Sequence, residues 1–220
     1  MAEAKKIKIK KKEWYTIRAN DALNGAVLGE SFVSDMQELI GKTIKVNLMQ
    51  ISNESRHQNV NVKFIVKSIV DKTALADIIG YEISPSTIKR FVRKEKKKLD
   101  LSFPCITSDG VTIRIKPIMV IKKNAKGSTQ TQMRKHAVSY LTKTVQKLDF
   151  KNFFSDLVAG RIQDGLRKYV AKIYPAKILD IRQMFIVSRG TPVPQIVEET
   201  PTVAEEPKEK TEEQVAAETN

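Results

Sequence analysis

The chain of 220 residues is strongly basic and yet apolar enough to fold. It carries 39 Lys and Arg against 25 Asp and Glu, a formal net charge of +14 at pH 7, while 41% of its residues are hydrophobic. This composition excludes a wholly disordered basic protein and allows one large domain or two small ones. A charge excess of this size is typical of a protein that binds a polyanion, either nucleic acid or an anionic membrane surface.

The positive charge is unevenly distributed along the chain. Residues 198–220 contain eight Glu and two Lys, a net charge of −6, so residues 1–197 carry +20. Residues 191–220 also lack aromatic side chains, and we expect a disordered acidic tail there. Residues 1–12 form a lysine-rich arm that we expect to be disordered until it meets its partner.

Cysteine usage and hydropathy exclude several classes of protein. Cys105 is the only cysteine, so an intramolecular disulfide and a cysteine-rich zinc site are excluded. The lysine arm lacks the apolar segment of a secretory signal, and no apolar run approaches the roughly 18 residues that cross a bilayer. We therefore expect a cytoplasmic protein that does not attach to a membrane.

Strand patterns occupy the first half of the chain. Residues 14–17 form a short strand candidate. Thr43–Met49 and Val60–Val66 both alternate between apolar and polar residues, which predicts two half-buried strands joined by a polar hairpin loop.

A second hairpin is predicted around Ser108-Asp109-Gly110. Residues 99–107 and 111–121 flank this turn, and Asp-Gly supplies the positive φ angles that tight hairpin turns require.

Helical patterns dominate the second half. Residues 131–148 place apolar side chains on one arc and cations on the opposite one. A second helix is predicted over residues 150–158, with Asp149 as N-cap and Gly160 ending it, and a third over residues 162–173. Residues 178–187 are then predicted to form a closing strand.

These elements predict an α+β fold. We expect a single folded RNA-binding domain over residues 13–190, strand-rich over 13–121 and helix-rich over 128–174.

The sequence offers no catalytic or metal-binding constellation. Gly41-Lys42-Thr43 resembles the end of a phosphate-binding loop, but Met36 stands where that loop needs glycine. The two histidines, His57 and His136, are far apart in sequence and are interpreted as surface or RNA-facing imidazoles. We therefore expect no enzyme, no cofactor and no metal.

The densest basic cluster lies at residues 89–98. Its seven cations are accompanied by only one acidic residue, Glu95. Ser84-Pro85-Ser86 is typical of a helix start with Pro at the first helical position, and such a helix would turn Ile88, Phe91 and Val92 inward and the cations outward. Repulsion at this density is tolerated chiefly when phosphates neutralise it, although a solubilising face is the alternative.

The candidate RNA-binding residues share a basic or aromatic side chain in or beside these clusters. They are Lys5, Lys6, Lys8, Lys10, Lys11, Lys12, Trp14, Lys89, Arg90, Arg93, Lys94, Lys96, Lys97, Lys98, Arg114, Lys116, Lys122, Lys123, Lys126, Arg134, Lys135, His136, Lys143 and Lys147. Trp14 has two interpretations. As part of a short strand it is expected to pack in the core, whereas an aromatic side chain beside lysines could stack on RNA bases.

The order of these pieces resembles the archaeal and eukaryotic small-subunit ribosomal proteins called eukaryotic-type S-one or S-three-A. The resemblance covers about residues 5–188, and the short chain is more similar to the archaeal form. It rests on Lys12-Glu13-Trp14-Tyr15-Thr16-Ile17 after the arm, Thr107-Ser108-Asp109-Gly110-Val111-Thr112-Ile113-Arg114, Gln132-Met133-Arg134-Lys135, and Ile173-Tyr174-Pro175 leading to Ile181-Arg182-Gln183-Met184-Phe185-Ile186-Val187.

The resemblance implies a β-barrel-like antiparallel core with appended C-terminal helices. It also implies a non-enzymatic structural role on the platform of the small subunit, near the 3′ end of the rRNA and the mRNA exit. The expected partners are small-subunit rRNA, neighbouring ribosomal proteins and possibly mRNA. Three alternatives stay open: a free RNA-binding translation or RNA-processing factor, an RNA-modifying enzyme, and a peripheral membrane adaptor.

Overall fold

The computed structural model describes residues 11–20, 25–70, 72–92, 96–121 and 125–189. Both predicted disordered segments, the acidic tail and all but the end of the lysine arm, lie outside these residues. The described residues form nine strands and five α-helices, which confirms the predicted α+β class.

The strands are β1 (Glu13–Ala19), β2 (Val27–Val33), β3 (Thr43–Asn47), β4 (Val60–Val70), β5 (Thr73–Ile83), β6 (Lys98–Asp100), β7 (Phe103–Ile106), β8 (Val111–Ile121) and β9 (Ala176–Arg189). The helices are α1 (Leu48–Ser52), α2 (Pro85–Phe91), α3 (Gly127–Gln146), α4 (Phe150–Val158) and α5 (Arg161–Ala171).

Strand β5 is the branch point of the sheet. One edge of β5 pairs with β4, while the other pairs with β1 over Thr73–Ala76 and with β9 over Gly80–Glu82. The sheet then continues through β9 to β8, whose far edge pairs with both β6 and β7. The β1–β5 pair is parallel, so the prediction of an antiparallel core is wrong at this pair. The barrel-like shape stays a prediction.

The first predicted hairpin is present as β3 and β4, but its first strand ends earlier than expected. The side chain of Asn47 accepts a hydrogen bond from the backbone N–H of Met49 at 2.9 Å and donates one to the carbonyl of Gln58 at 2.8 Å. Asn47 thereby caps α1, so Leu48 and Met49 lie in a helical turn instead of the strand.

The second predicted hairpin is also present, with a different turn. Gly110 has a φ of 73°, whereas Asp109 is not among the residues with positive φ. The backbone N–H of Thr107 donates to Val111 at 3.1 Å, which leaves a three-residue loop. The first strand is split into β6 and β7 opposite Pro117, because proline cannot donate to the ladder.

The three long helices follow their predicted periodicity. Helix α3 starts four residues earlier than expected and buries Met133, Ala137, Leu141 and Val145. Gly160, with a φ of 80°, separates α4 from α5. Asp149 occupies the N-cap position of α4 as predicted, but its side chain makes no capping bond. It accepts from the Ser108 hydroxyl, and Asp109 accepts from the backbone N–H of Phe150 at 2.8 Å.

One core joins the sheet to the helices. Phe64 from β4, Phe153 from α4, Leu166 from α5 and Met184 from β9 all belong to a single cluster of buried side chains. Helix α5 packs on β9 and on the other two long helices, while α3 reaches β7. The long helices therefore lie over the β7–β8–β9 part of the sheet, with their outer faces exposed.

Candidate nucleic-acid interface

Eight of the predicted RNA-binding residues lie outside the described residues. They are Lys5, Lys6, Lys8, Lys10, Arg93, Lys94, Lys122 and Lys123.

The outer face of α3 is basic and carries no acidic residue. The helix contains no Asp or Glu, and its apolar side is buried, so the side chains of Lys135, His136 and Lys143 are exposed. Lys126 and Lys147 stand exposed at its two ends. Among the described residues, none of these side chains forms an ion pair.

The predicted helix begins at Ser84 and Pro85 as expected, but it does not extend to residue 98. Helix α2 ends at Phe91, Val92 is extended and 37% exposed, and the buried side chain of α2 is Thr87. A longer helix would bring like charges together at i,i+3 and i,i+4, with only one acidic residue among them. Lys98 instead begins strand β6, opposite Val120.

Several cations of this cluster make contacts within the protein. Arg90 donates through Nη2 to Asn59 Oδ1 at 3.2 Å and to Thr87 Oγ1 at 3.1 Å, which ties α2 to the turn before β4. Lys98 forms an ion pair with Asp100. Lys89 and Lys97 are exposed to solvent. Fewer cations of this cluster are therefore available to a polyanion than the sequence predicts.

The structure brings the basic cluster at residues 89–98 next to the end of β8 at one end of the sheet. The carbonyl of Lys97 accepts a hydrogen bond from the backbone N–H of Ile121 at 3.0 Å, and Ile121 pairs with Ala176 of β9. Exposed Lys177 therefore joins this basic end. Sequence reasoning missed Lys177, because only the β8–β9 register places it beside residues more than fifty positions earlier.

The cations of strand β8 differ in their surroundings. Arg114 is exposed. Lys116 is half-buried: its Nζ donates to Gln183 Oε1 at 3.1 Å and lies 5.1 Å from the centre of the Phe185 ring. Lys116 therefore contributes to the packing of β8 on β9 in addition to its charge.

The two histidines occupy unlike environments. The side chain of His57 is only 13% exposed, and its Nδ1 lies 2.8 Å from the Ser52 hydroxyl, so the surface interpretation of His57 is wrong. His136 is exposed on α3, with its ring centre 5.7 Å from that of Tyr169 on α5.

Trp14 is not a core residue. Its side chain is 68% exposed, and its ring centre lies 5.0 Å from that of Phe32, which is itself 49% exposed. The core interpretation is therefore wrong. Sequence reasoning missed Phe32, although the alternation around buried Val33 would have placed it on the outer face of β2.

Three lysines of β3 and β4 form ion pairs with two acidic residues of β5. Lys45 and Lys63 lie 3.1 and 3.5 Å from Glu82, and Lys67 lies 2.7 Å from Asp77. Partial burial raises the pKa of Glu82, but hydrogen bonds and charge from the two lysines outweigh it, so the net pKa is lowered. These lysines offer less free charge to a polyanion than those of α3.

A cavity of about 670 Å³ lies between the turn before β4, the α4–α5 corner and β9. Its lining mixes charges of both signs, with Arg56 and Arg167 opposing Asp164 and Asp180. Burial raises the pKa of Asp180, whose carboxyl forms part of this wall. Among the described residues no group of three potential metal ligands occurs.

No helix in the described part of the chain is both long and apolar enough to cross a membrane.

Comparison with known protein families decides the family of this chain. The model of the ribosomal S3Ae family matches residues 2–190. The chain belongs to the ribosomal S3Ae family.

Archaeal members of the ribosomal S3Ae family resemble the chain over most of its length. It is 24% identical to the small ribosomal subunit protein eS1 of Methanothrix thermoacetophila, over 88% of this chain and 92% of the relative. It is 26% identical to the protein of the same name from Nanoarchaeum equitans, over 82% and 91%. It is 23% identical to the protein of the same name from Haloarcula marismortui, over 81% of this chain and 84% of the relative.

Membership in the ribosomal S3Ae family confirms the resemblance derived from the ordered motifs and the expectation that the chain is not an enzyme. The match includes most of the lysine arm and ends at residue 190, so the acidic segment at 191–220 lies outside it.

Proposed function

We propose that this chain is a structural constituent of the small ribosomal subunit that binds rRNA on the platform, near the rRNA 3′ end and the mRNA exit. The observation that carries the proposal is the outer face of α3. That face presents cations without a single acidic residue in the helix. Exposed cations of this kind gain affinity for phosphates because their binding releases condensed counterions.

The family match supports a ribosome over other polyanions, since the relatives are named as small-subunit proteins. The partners then are small-subunit rRNA, adjacent small-subunit proteins and, at the exit, mRNA. The site of action is the cytoplasmic ribosome.

Three surfaces contact RNA in this proposal. The arm of residues 1–12 threads between RNA segments, the face of α3 neutralises phosphates, and the basic sheet end around Lys97 and Lys126 forms the third contact. The tail at 191–220 points away from RNA, because phosphates repel its carboxylates.

Occupancy on purified small subunits tests the proposal. We expect one copy of the chain per subunit, retained through a density gradient at low salt and released as salt rises. Occupancy well below one copy would instead indicate a free RNA-binding translation or processing factor. A chain that stays at the top of a low-salt gradient would refute the role in the small subunit.

The position on the platform is tested separately. Crosslinking of the assembled subunit should join the α3 face to rRNA near its 3′ end. Stoichiometric occupancy with crosslinks only to distant rRNA would retain the subunit role and reject the platform.

A further inference from the structure

An aromatic pair stands on the outer face of the β1–β2 hairpin. Trp14 and Phe32 are directly opposite each other in the antiparallel register, and their rings are tilted by 39° with centres 5.0 Å apart. They are 68% and 49% exposed. Neither side chain belongs to the core cluster or packs against it.

The inward face of the same hairpin is already complete without this pair. Ile17 and Ala19 on β1, with Leu28 and Val33 on β2, are buried in the core. The fold therefore does not require two large aromatic rings on the outer face. Exposed apolar area of this kind typically marks a binding site.

Cations flank the pair along the strand. The Nζ of Lys12 lies 6.0 Å from the centre of the Phe32 ring, within the range of a cation–π contact. Strand alternation places Arg18 on the same face as Trp14, four residues further along β1, and Arg18 is exposed. Lys12 and Arg18 are thus about 20 Å apart along the strand, since each residue advances roughly 3.3 Å.

The same face also holds one acidic residue. Glu30 is exposed and pairs with Thr16 in the register, so it lies between the aromatic pair and Arg18. The face has more positive than negative charge even so, and the lysine arm at residues 5–12 adds to it in sequence.

We propose that Trp14 and Phe32 form a stacking platform for unpaired RNA bases, with Lys12 and Arg18 holding the phosphates on either side. Exposed aromatics between cations suit a single strand, because every base offers a π face while a duplex hides its bases. The inference rests on the proposed function for the identity of the polyanion. It adds that this surface binds a single-stranded segment, whereas α3 binds phosphates alone.

An apolar segment of a neighbouring protein is the competing occupant of this face. Such a segment would use the ring area but gain nothing from Lys12 and Arg18. It would also bind equally well to an aliphatic side chain of similar size.

Trp14 is the only tryptophan of the chain, so its fluorescence reports on this surface alone. The full-length protein is titrated with a single-stranded oligoribonucleotide of six bases, with an abasic oligomer of equal phosphate number, and with a blunt RNA duplex. We expect the single strand to quench Trp14 emission, and the abasic oligomer and duplex to bind without quenching it. Equal quenching by the abasic oligomer, or binding of the single strand without quenching, would overturn the proposal.

Substitutions at the pair separate stacking from apolar contact. Trp14→Leu and Phe32→Leu should each weaken single-strand binding by roughly fivefold or more, measured by anisotropy of labelled RNA, and should leave duplex binding unchanged. Trp14→Phe should remain near wild type. Equal single-strand affinity for Trp14→Leu and Trp14→Phe would assign the surface to an apolar partner instead.

These outcomes are independent of the subunit test. Stoichiometric occupancy without base-dependent quenching would retain the proposed function and reject the platform for bases. Quenching by single strands in a chain that never joins subunits would retain the stacking platform and reject the proposed function.

Discussion

The guanidinium of Arg189 lies 2.9 Å from the carboxylate of Asp77, which precedes it by 112 residues. Arg189 also donates to the carbonyl of Ile78 at 3.0 Å, while Lys67 and Asn20 reach Asp77 at 2.7 and 2.8 Å. One carboxylate on β5 thus joins the end of β1, strand β4 and the last residue of β9. These contacts hold the C-terminal end of β9 on β5, close in sequence to the acidic segment that the family match does not include.

Asp77→Asn should destabilise the protein by about 1–2 kcal/mol, because three donors lose a charged acceptor that is only 15% exposed. Equilibrium unfolding in urea at pH 7 measures this loss. The matched control is Asp164→Asn, whose carboxylate is 67% exposed and 3.7 Å from Arg167, and which should cost about 0.5 kcal/mol or less. Equal losses for the two variants would contradict the role of Asp77.

The pH dependence of this loss follows from the direction of the pKa shift. Burial raises the pKa of Asp77, but the hydrogen bonds from Lys67, Asn20 and Arg189 outweigh it, so the folded pKa lies below the ordinary 3.8. The stabilisation is therefore fully present above pH 3.8 and is lost as pH falls through the folded pKa. Wild type and Asp77→Asn should converge in stability below pH 3.8.

The pH dependence of the contribution of Asp180 to stability should be opposite to that of Asp77. Burial raises its pKa above the ordinary 3.8, and this outweighs the hydrogen bonds from the Ile181 backbone and Gln163 and the charge of Arg167. Its contribution to stability is present below pH 3.8 and is lost as pH rises through the folded pKa. Asp180→Asn should therefore raise the free energy of unfolding at pH 7 by about 0.5–1 kcal/mol, since no charge is then buried. The same urea experiment at pH 7 would reject this account if the variant were clearly less stable than wild type.

Local patterns predicted most of the elements correctly. Alternation over Val60–Val66 gave a strand, Gly110 gave the turn before β8, and the spacing of Met133, Ala137 and Leu141 gave the buried face of α3. Each of these signals depends only on residues close in sequence.

The predictions failed where distant residues decide the outcome. The parallel β1–β5 pair joins residues more than fifty positions apart, and no local pattern contains that information. Trp14 looked like half of a core strand, yet the core is filled by its neighbours Ile17 and Ala19. The helix that begins at Pro85 ends short of its predicted length, because Lys98 pairs with β8 instead.

Cys105 should be inert towards thiol reagents in the folded protein. It is 4% exposed, its Sγ lies 3.7 Å from the Thr142 hydroxyl, and burial raises the pKa of the thiol to about 11. Only the thiolate reacts, so labelling with iodoacetamide at pH 7.5 should require unfolding. The rate of labelling should rise in parallel with the fraction unfolded in urea. Rapid labelling without denaturant would show that β7 opens locally.

Gly165 allows α5 to approach Tyr140 of α3. A Cβ at this position would overlap the Tyr140 hydroxyl, and Tyr140 stacks on Tyr169 with ring centres 5.2 Å apart. Gly165→Ala should destabilise by about 1–2 kcal/mol, although alanine is the better helix former by roughly 1 kcal/mol. Tyr140→Phe removes the overlapping oxygen, so the double variant should recover part of the loss, as a double-mutant cycle would measure. Additive effects would show that the two residues do not constrain each other.

The free cations of α3 should dominate the salt dependence of RNA binding. Lys135 and Lys143 are exposed without an ion pair among the described residues, whereas Lys45 and Lys63 share Glu82. Replacing Lys135 and Lys143 together by Gln should flatten the slope of log K against log salt by about 1.5, because two counterion-releasing contacts are lost. Replacing Lys45 and Lys63 by Gln removes the same formal charge and should change the slope far less. Filter binding of an rRNA fragment from 50 to 300 mM KCl compares the two variants, and equal slopes for both would show that net charge, rather than the face of α3, governs binding.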